Sequence, residues 1–211
     1  MIIKAVEEAF VLGPDSAGLL MSPEEFDAIE DYDENYRYEL VNGVLVVHAI
    51  PLPQETGPVD LLGYYLRDYQ QRHPRGHSLD FTLPQQYVRT PRSRRLADRV
   101  IWAGLGRLPS VRRDLPTIAV EFVSAGRRNQ QRDYVDKRQE YMEVGIREYW
   151  IFDRFRRTLT VIHNRPEGEQ EQVVAEHETY QSPLLPGFEV PLARLLEAAD
   201  RMAELEAEDD K

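Results

Sequence analysis

Apolar positions along the chain follow two rhythms, and their alternation sketches the fold. Tyr36–Leu40 and Val44–His48 read as two strands joined through Val41-Asn42-Gly43, the residue types of a tight hairpin turn. Val59, Leu62, Leu66 and Tyr69 recur at helical spacing and predict a helix opened by Pro58, with residues 51–58 as a loop before it. Phe81–Leu83, Gln86–Arg89 and Ala97–Trp102 read as strands again. Thr117–Ser124 is almost wholly apolar and rich in β-branched and aromatic residues, the composition of a central strand covered on both faces. The pattern then predicts a helix over 133–144 ended by Gly145, strands at Glu148–Phe152 and Thr158–His163, a further strand near Gln172–Ala175, and a helix over 192–205. Near the start, Ser22-Pro23-Glu24-Glu25 has the form of a capping box, and a helix is expected from there to about Asp31.

One residue breaks the apolar pattern where a break costs most. Glu121 stands in the middle of the central strand, and burying a lone carboxylate costs several kcal/mol unless it is paired or protonated. Asp98 opens another short apolar strand 23 positions earlier. Two hard carboxylates on neighbouring strands, with the Phe122 backbone carbonyl, suit Mg²⁺ or Mn²⁺. The residues alone equally allow Asp98 to pair with Arg99 or cap a loop. Lys137, on the following helix, could point back at these acids; helix spacing alone equally allows it an exposed pair with Asp133. Tyr134, Lys137, Arg138 and Tyr141 are expected to share one helix face.

Composition narrows the choices. The chain has 211 residues and 42% hydrophobic content, enough for one sizeable core; we expect a single domain over 1–195 with an N-terminal arm, and an acidic helical tail over 196–211. It has no cysteine, so disulfide and thiolate-metal chemistry are excluded. That composition, with no signal-peptide pattern in MIIKAVEEAF and no membrane-length apolar run, leads us to expect a cytoplasmic protein. The net charge of -11 argues against nucleic acid, but it is concentrated at Glu24–Glu39 and beyond Glu197. The middle carries arginine clusters at 89–99 and 127–138, of which Arg94, Arg95, Arg127 and Arg128 are candidate phosphate contacts. The five histidines have no ligand spacing. Phosphate-loop, dinucleotide and serine-hydrolase motifs are absent.

Six segments in fixed order resemble the Uma2 (DUF820) family, a branch of the PD-(D/E)XK restriction-endonuclease-like superfamily. They are MSPEEF at 21–26, YELVNGVLVV at 38–47, ADRVIWAG at 97–104, VEFVS at 120–124, RDYVDKRQEYMEVGIREYWIFD at 132–153 and SPLLPGFEV at 182–190. The resemblance implies an α/β (α+β) fold with a restriction-endonuclease-like core, a central mixed sheet flanked by helices, and a Mg²⁺- or Mn²⁺-dependent endonuclease that hydrolyses DNA phosphodiesters. It maps the catalytic and metal-binding acids onto Asp98 and Glu121. Glu39 would be a further acid reaching the metal directly or through water. The catalytic lysine, ordinarily two residues after the strand acid, is here replaced by Val123, and Lys137 takes its place from the next helix. A homodimer would follow the habit of related nucleases. Ala97 and Ala125 replace usual prolines, and the 53–58 loop lacks a histidine that many relatives carry there. A nuclease fold without catalysis, binding nucleic acid or a protein, is the alternative expectation.

Overall fold

The structure, a computed structural model, describes residues 11–209. The first half of the expected N-terminal arm and the last two residues of the expected tail lie outside that range. The chain divides into two compact units, Met1–Ile50 with Pro91–Arg95, and Pro51–Thr90 with Leu96–Lys211. Among the described residues no helix is long and apolar enough to cross a membrane.

The first unit is built on the hairpin of β1 (Tyr36–Val41) and β2 (Val44–Ala49). Val41 pairs with Val44, so Asn42 and Gly43 are a two-residue loop, and both take the positive φ that the strands' twist requires there (51° and 82°). Helix α1 (Pro23–Asp27) begins with the expected capping box: Ser22 Oγ accepts from the Glu25 amide at 3.1 Å, and Glu25 Oε2 accepts from the Ser22 amide at 2.6 Å. It ends at Asp27 rather than Asp31. Further acids, Glu30 and Asp31, would stand at the negative end of the helix dipole, and Asp27 itself is engaged by Arg94.

The second unit holds a mixed sheet. Its strands are β3 (Leu79–Arg89), β4 (Arg94–Ala103, which enters this unit at Leu96), β5 (Ile118–Phe122), β6 (Glu148–Asp153), β7 (Thr158–Arg165) and β8 (Gly168–Ala175). β3 pairs with β4, and from β4 the order runs β5, β6, β7, β8; along that run β5 and β6 are parallel and the other neighbours antiparallel. The two strands expected at 81–83 and 86–89 are one, interrupted at Gln85, whose φ of 46° is rare for a residue with a Cβ. A parallel pair needs a crossover, and helices between Ser124 and Gly145 supply it. β9 (Tyr180–Gln181) and β10 (Glu189–Val190) form a small separate ladder before α5 (Leu192–Asp209).

Strand periodicity divides the core into two layers. Ile118, Val120, Phe122, Trp150 and Phe152 pack with Leu62 and Leu66 of α2 (Pro53–Arg72) and with Leu195 and Leu196 of α5. Ala119, Tyr149 and Ile151 face the opposite way, toward Tyr141 and Met142. Helix α2 starts five residues earlier than expected. Pro53 fills the first helical position, where proline's missing N–H costs nothing, and Glu55 Oε2 accepts from the Leu52 amide at 2.9 Å. Pro58 is carried inside the helix.

Gly63 on α2 carries a specific burden. Arg99, buried, donates from Nε to the Val59 carbonyl at 3.1 Å and from Nη1 to Thr82 Oγ1 at 3.2 Å. A Cβ at position 63 would overlap its guanidinium. Alanine ordinarily stabilises a helix interior relative to glycine by up to ~1 kcal/mol. Gly63→Ala is expected to reverse that sign and destabilise by about 1–3 kcal/mol through overpacking, read as a lower urea midpoint at unchanged m-value.

Candidate active site

The site grows from the register of β4 against β5. Arg99 pairs with Val120 in that antiparallel ladder; one step along it, Asp98 stands opposite Glu121. Opposed residues on antiparallel strands direct their side chains to the same face, and like charges there repel. Asp98, half-buried, accepts a hydrogen bond on Oδ2 from the Phe122 amide at 2.7 Å. It also lines a cleft of about 660 Å³ with residues of the first two turns of α2 and of the β3 interruption, Pro84 to Gln86. Arg99 turns instead to the α2 side, so Asp98 does not take it as partner.

Glu121 is 1% exposed. Its Oε2 lies 2.9 Å from Lys137 Nζ, and its Oε1 accepts from the Tyr141 hydroxyl at 3.0 Å. Lys137 is as deeply buried and also donates to the Leu96 carbonyl at 2.7 Å, so its ammonium is held from two sides. These contacts depend on the helix after Gly126, a residue whose φ of 103° lets the chain leave β5 and enter α3 (Arg127–Gln131). A π-helical turn (Arg132–Asp136) follows, then α4 (Lys137–Val144). The buried stripe is Asp133, Lys137 and Tyr141, four residues apart. Tyr134 and Arg138, expected on the same face, point elsewhere: Tyr134 donates to Asp153 and Arg138 pairs with Glu169 and Glu171. Of the four residues expected on one face, Lys137 and Tyr141 share the buried side, with Asp133 in place of Tyr134.

Asp133 is fully buried and receives Arg132, Nε on Oδ1 at 2.7 Å and Nη2 on Oδ2 at 3.1 Å. The alternative Lys137–Asp133 pair is therefore not formed. Among the described residues, three acids (Asp98, Glu121, Asp133) and two cations (Lys137, Arg132) meet here, a formal excess of one negative charge. Burial pushes the Asp98 carboxyl up to about 6, with Lys137 acting in the opposite direction. Burial also pushes Glu121 up to about 8; Lys137 again opposes this, and the negative charge of Asp98 adds to it. Both shifts come first from burial, which favours the uncharged carboxyl, and Lys137 only partly offsets it.

The other expected residues lie as follows. Glu39 is in the first unit, 3% exposed, with its Oε2 3.5 Å from Arg95 Nη1 and 3.5 Å from His48 Nε2. Arg94 and Arg95 are buried, Arg94 in a bidentate bridge to Asp27 and Arg95 beside Glu39. Arg127 and Arg128 are exposed in the first turn of α3. Among the described residues no three or more His, Asp or Glu side chains gather as a metal cage. The sequence reading gives Tyr141 and Glu55 no part in the site, takes Asp133 for an exposed partner of Lys137, and counts Arg132 among the basic surface. The four-residue spacing of 133, 137 and 141 was the available signal for Tyr141 and Asp133.

The mixed sheet flanked by helices is a restriction-endonuclease-like fold, and comparison with solved structures supports that architecture. A protein from Anabaena variabilis ATCC 29413, described as "a putative nuclease belonging to DUF820", aligns with a TM-score of 0.65 at 10% identity, covering 85% of this chain and 99% of that one. The Uma2 family model, described as "Putative restriction endonuclease", matches residues 23–193, and the chain belongs to that family. No curated protein matches it.

Proposed function

We propose that this protein is a nuclease that hydrolyses DNA phosphodiester bonds with Mg²⁺ or Mn²⁺ at Asp98, Glu121 and Lys137. The observation that carries the reading is the pair of opposed carboxylates, one buried on an anchored lysine and one lining a cleft. The donor set fits a divalent ion. It is all oxygen, it has unneutralised negative charge, and Mg²⁺ is commonly held by one or two carboxylates with water and substrate phosphate completing its shell. Asp98, Glu121 and the Phe122 carbonyl would hold the ion. Once bound it supplies Lewis acidity toward a phosphate oxygen and lowers the pKa of water.

The chain's own groups do the rest. Lys137 opposes the upward shift that burial imposes on Glu121 and presents a fixed positive charge where negative charge develops on the phosphate. Tyr141 holds the second oxygen of Glu121, so the carboxylate cannot rotate away. Arg127 and Arg128 contact the substrate backbone by charge neutralisation, which makes binding fall with salt. Arg94 and Arg95, engaged with Asp27 and Glu39, have a structural share in this reading. The family pattern adds Glu39 as a further acid, and Glu39→Gln in the same assay tests that part.

The assay is cleavage of supercoiled plasmid with Mg²⁺ or Mn²⁺. Wild type is expected to nick it and Asp98→Ala to be at least about a hundredfold slower, the scale of several kcal/mol of transition-state stabilisation. Equal rates would reject the assignment. Absent cleavage with salt-sensitive DNA binding retained would identify a binding protein on a nuclease fold.

A further inference from the structure

A second cavity of about 250 Å³ lies where β5 and β6 end, immediately past Glu121. It falls below the ~300–1,000 Å³ of pockets that take drug-sized ligands. Its size suits one planar ring system rather than a whole nucleotide. The floor is apolar: Phe122 and Phe152, stacked at 4.6 Å between centroids, with Leu195, Leu196 and Ala199 of α5. Polar groups stand around it, namely Gln54, Glu55, Ser124 and Arg154. Glu55 also lines the cleft that contains Asp98, so the two cavities share a wall.

At the mouth, Phe155 is 47% exposed, and Arg154 lies over its ring at 4.6 Å. Arg154 also donates to Gln54 Oε1 at 3.2 Å. The amide group left for a ligand is thus the Gln54 N–H₂ donor, and the carboxylate of Glu55 is an acceptor beside it. An exposed aromatic ring beside an arginine, donors and acceptors in one rim, and a flat apolar floor are what an unpaired nucleobase requires: a face to stack on and partners for its polar edge.

We propose that this pocket receives one unstacked nucleobase of the substrate, so that the protein acts on single-stranded or locally melted nucleic acid. The proposal rests on the hydrolase reading of the neighbouring site. A base paired inside a duplex cannot enter a pocket of this kind without leaving the stack. A strand lying across Asp98 has the pocket within the same wall, at Glu55. Phe155 and Arg154 form the platform; Gln54, Glu55 and Ser124 address the base edge.

The test is fluorescence anisotropy with labelled 12-nucleotide single strands, with Ca²⁺ in place of Mg²⁺ so that the strand is not cut. One strand carries mixed-sequence bases, one is built of abasic tetrahydrofuran nucleotides, and a mixed-sequence RNA strand separates DNA from RNA as the source of the base. Wild type is expected to bind the base-bearing strand at least tenfold tighter than the abasic one. Phe155→Ala, at an exposed position that the core does not need, is expected to lose about tenfold on the base-bearing strand alone, the scale of one lost base–aromatic stack. Phe155→Trp should retain wild-type affinity. Equal binding of both strands by wild type, or a Phe155→Ala effect that is nil or equal on both, would overturn the proposal. Failure of the hydrolase reading would appear separately, as plasmid cleavage that survives Asp98→Ala.

Discussion

Lys137→Met will cost the fold about 3–5 kcal/mol at pH 9.5, because there Glu121 would ionise without its cation and the Leu96 carbonyl loses its buried donor. The geometry gives Glu121 no substitute. One oxygen has only the Tyr141 hydroxyl, and the nearest other charges are Asp98 and Asp133, which repel it. The pH dependence has a definite sign. Burial already holds the Glu121 pKa above that of an unfolded chain, to about 8, and removing Lys137 raises it further. A group raised in the folded state is protonated there at low pH at no cost and must ionise, or resist ionising, as pH climbs. The penalty of Lys137→Met therefore changes little from pH 5 to pH 8, where Glu121 is largely protonated with or without the lysine, and grows as pH rises above 8. Adding Glu121→Gln to the same chain removes the orphaned charge and is expected to recover most of the lost stability. Hydrolysis will not return, because the doubly substituted site lacks both a carboxylate and the ammonium. Urea denaturation at pH 6 and pH 9.5, with plasmid cleavage on the same samples, reads both halves. Loss of stability with no pH dependence would mean that Lys137 acts by packing alone.

Glu148→Leu will be comparably damaging to stability, about 3 kcal/mol or more, without touching the chemistry. Glu148 is as buried as Glu121, yet its surroundings are of another kind. Its Oε2 accepts from Trp150 Nε1 at 2.8 Å, from the Tyr180 hydroxyl at 3.1 Å and from Ser182 Oγ at 2.8 Å. Its Oε1 lies 3.5 Å from His163 Nδ1. One carboxylate oxygen thus ties β6 to the β9 segment and to the turn after it. Leucine would leave three buried donors unsatisfied, each worth roughly 1–3 kcal/mol. Glu148→Gln keeps an acceptor oxygen and should cost less. The variant's folded fraction is expected to cleave DNA at the wild-type rate per molecule. Burial alone therefore does not mark a catalytic acid. Glu121 is surrounded by other charges, whereas Glu148 is surrounded by neutral donors.

How far such distinctions can be read in the chain depends on the range of the interaction. The strands, the hairpin turn and the capping box are local, and their residues state them. An acid inside Thr117–Ser124 is conspicuous because its neighbours are apolar. Glu148 gives no such signal, since an acid at the first position of a strand usually faces water. Its donors come from positions 150, 180 and 182, and only the tertiary fold brings them together. The π turn at 132–136 has the same origin. Nothing in Arg-Asp-Tyr-Val-Asp disfavours an ordinary helix, but burying Asp133, Lys137 and Tyr141 on one side selects the wider turn. Arg94 and Arg95 looked like basic surface because clustered arginines usually are; their partners, Asp27 and Glu39, lie 67 and 56 positions away. The family resemblance reached Lys137 where spacing alone left it undecided against Asp133.

The account stands on Asp98 and Glu121 acting together on a divalent cation, and calorimetric titration of Mn²⁺ at pH 7 addresses that most directly. Run in two buffers of different ionisation enthalpy, wild type is expected to take up one ion and release protons, because burial keeps the acids partly protonated until a cation arrives. Asp98→Asn is expected to show neither the binding nor the release. Mn²⁺ binding to Asp98→Asn indistinguishable from wild type, or no binding to wild type, would contradict it.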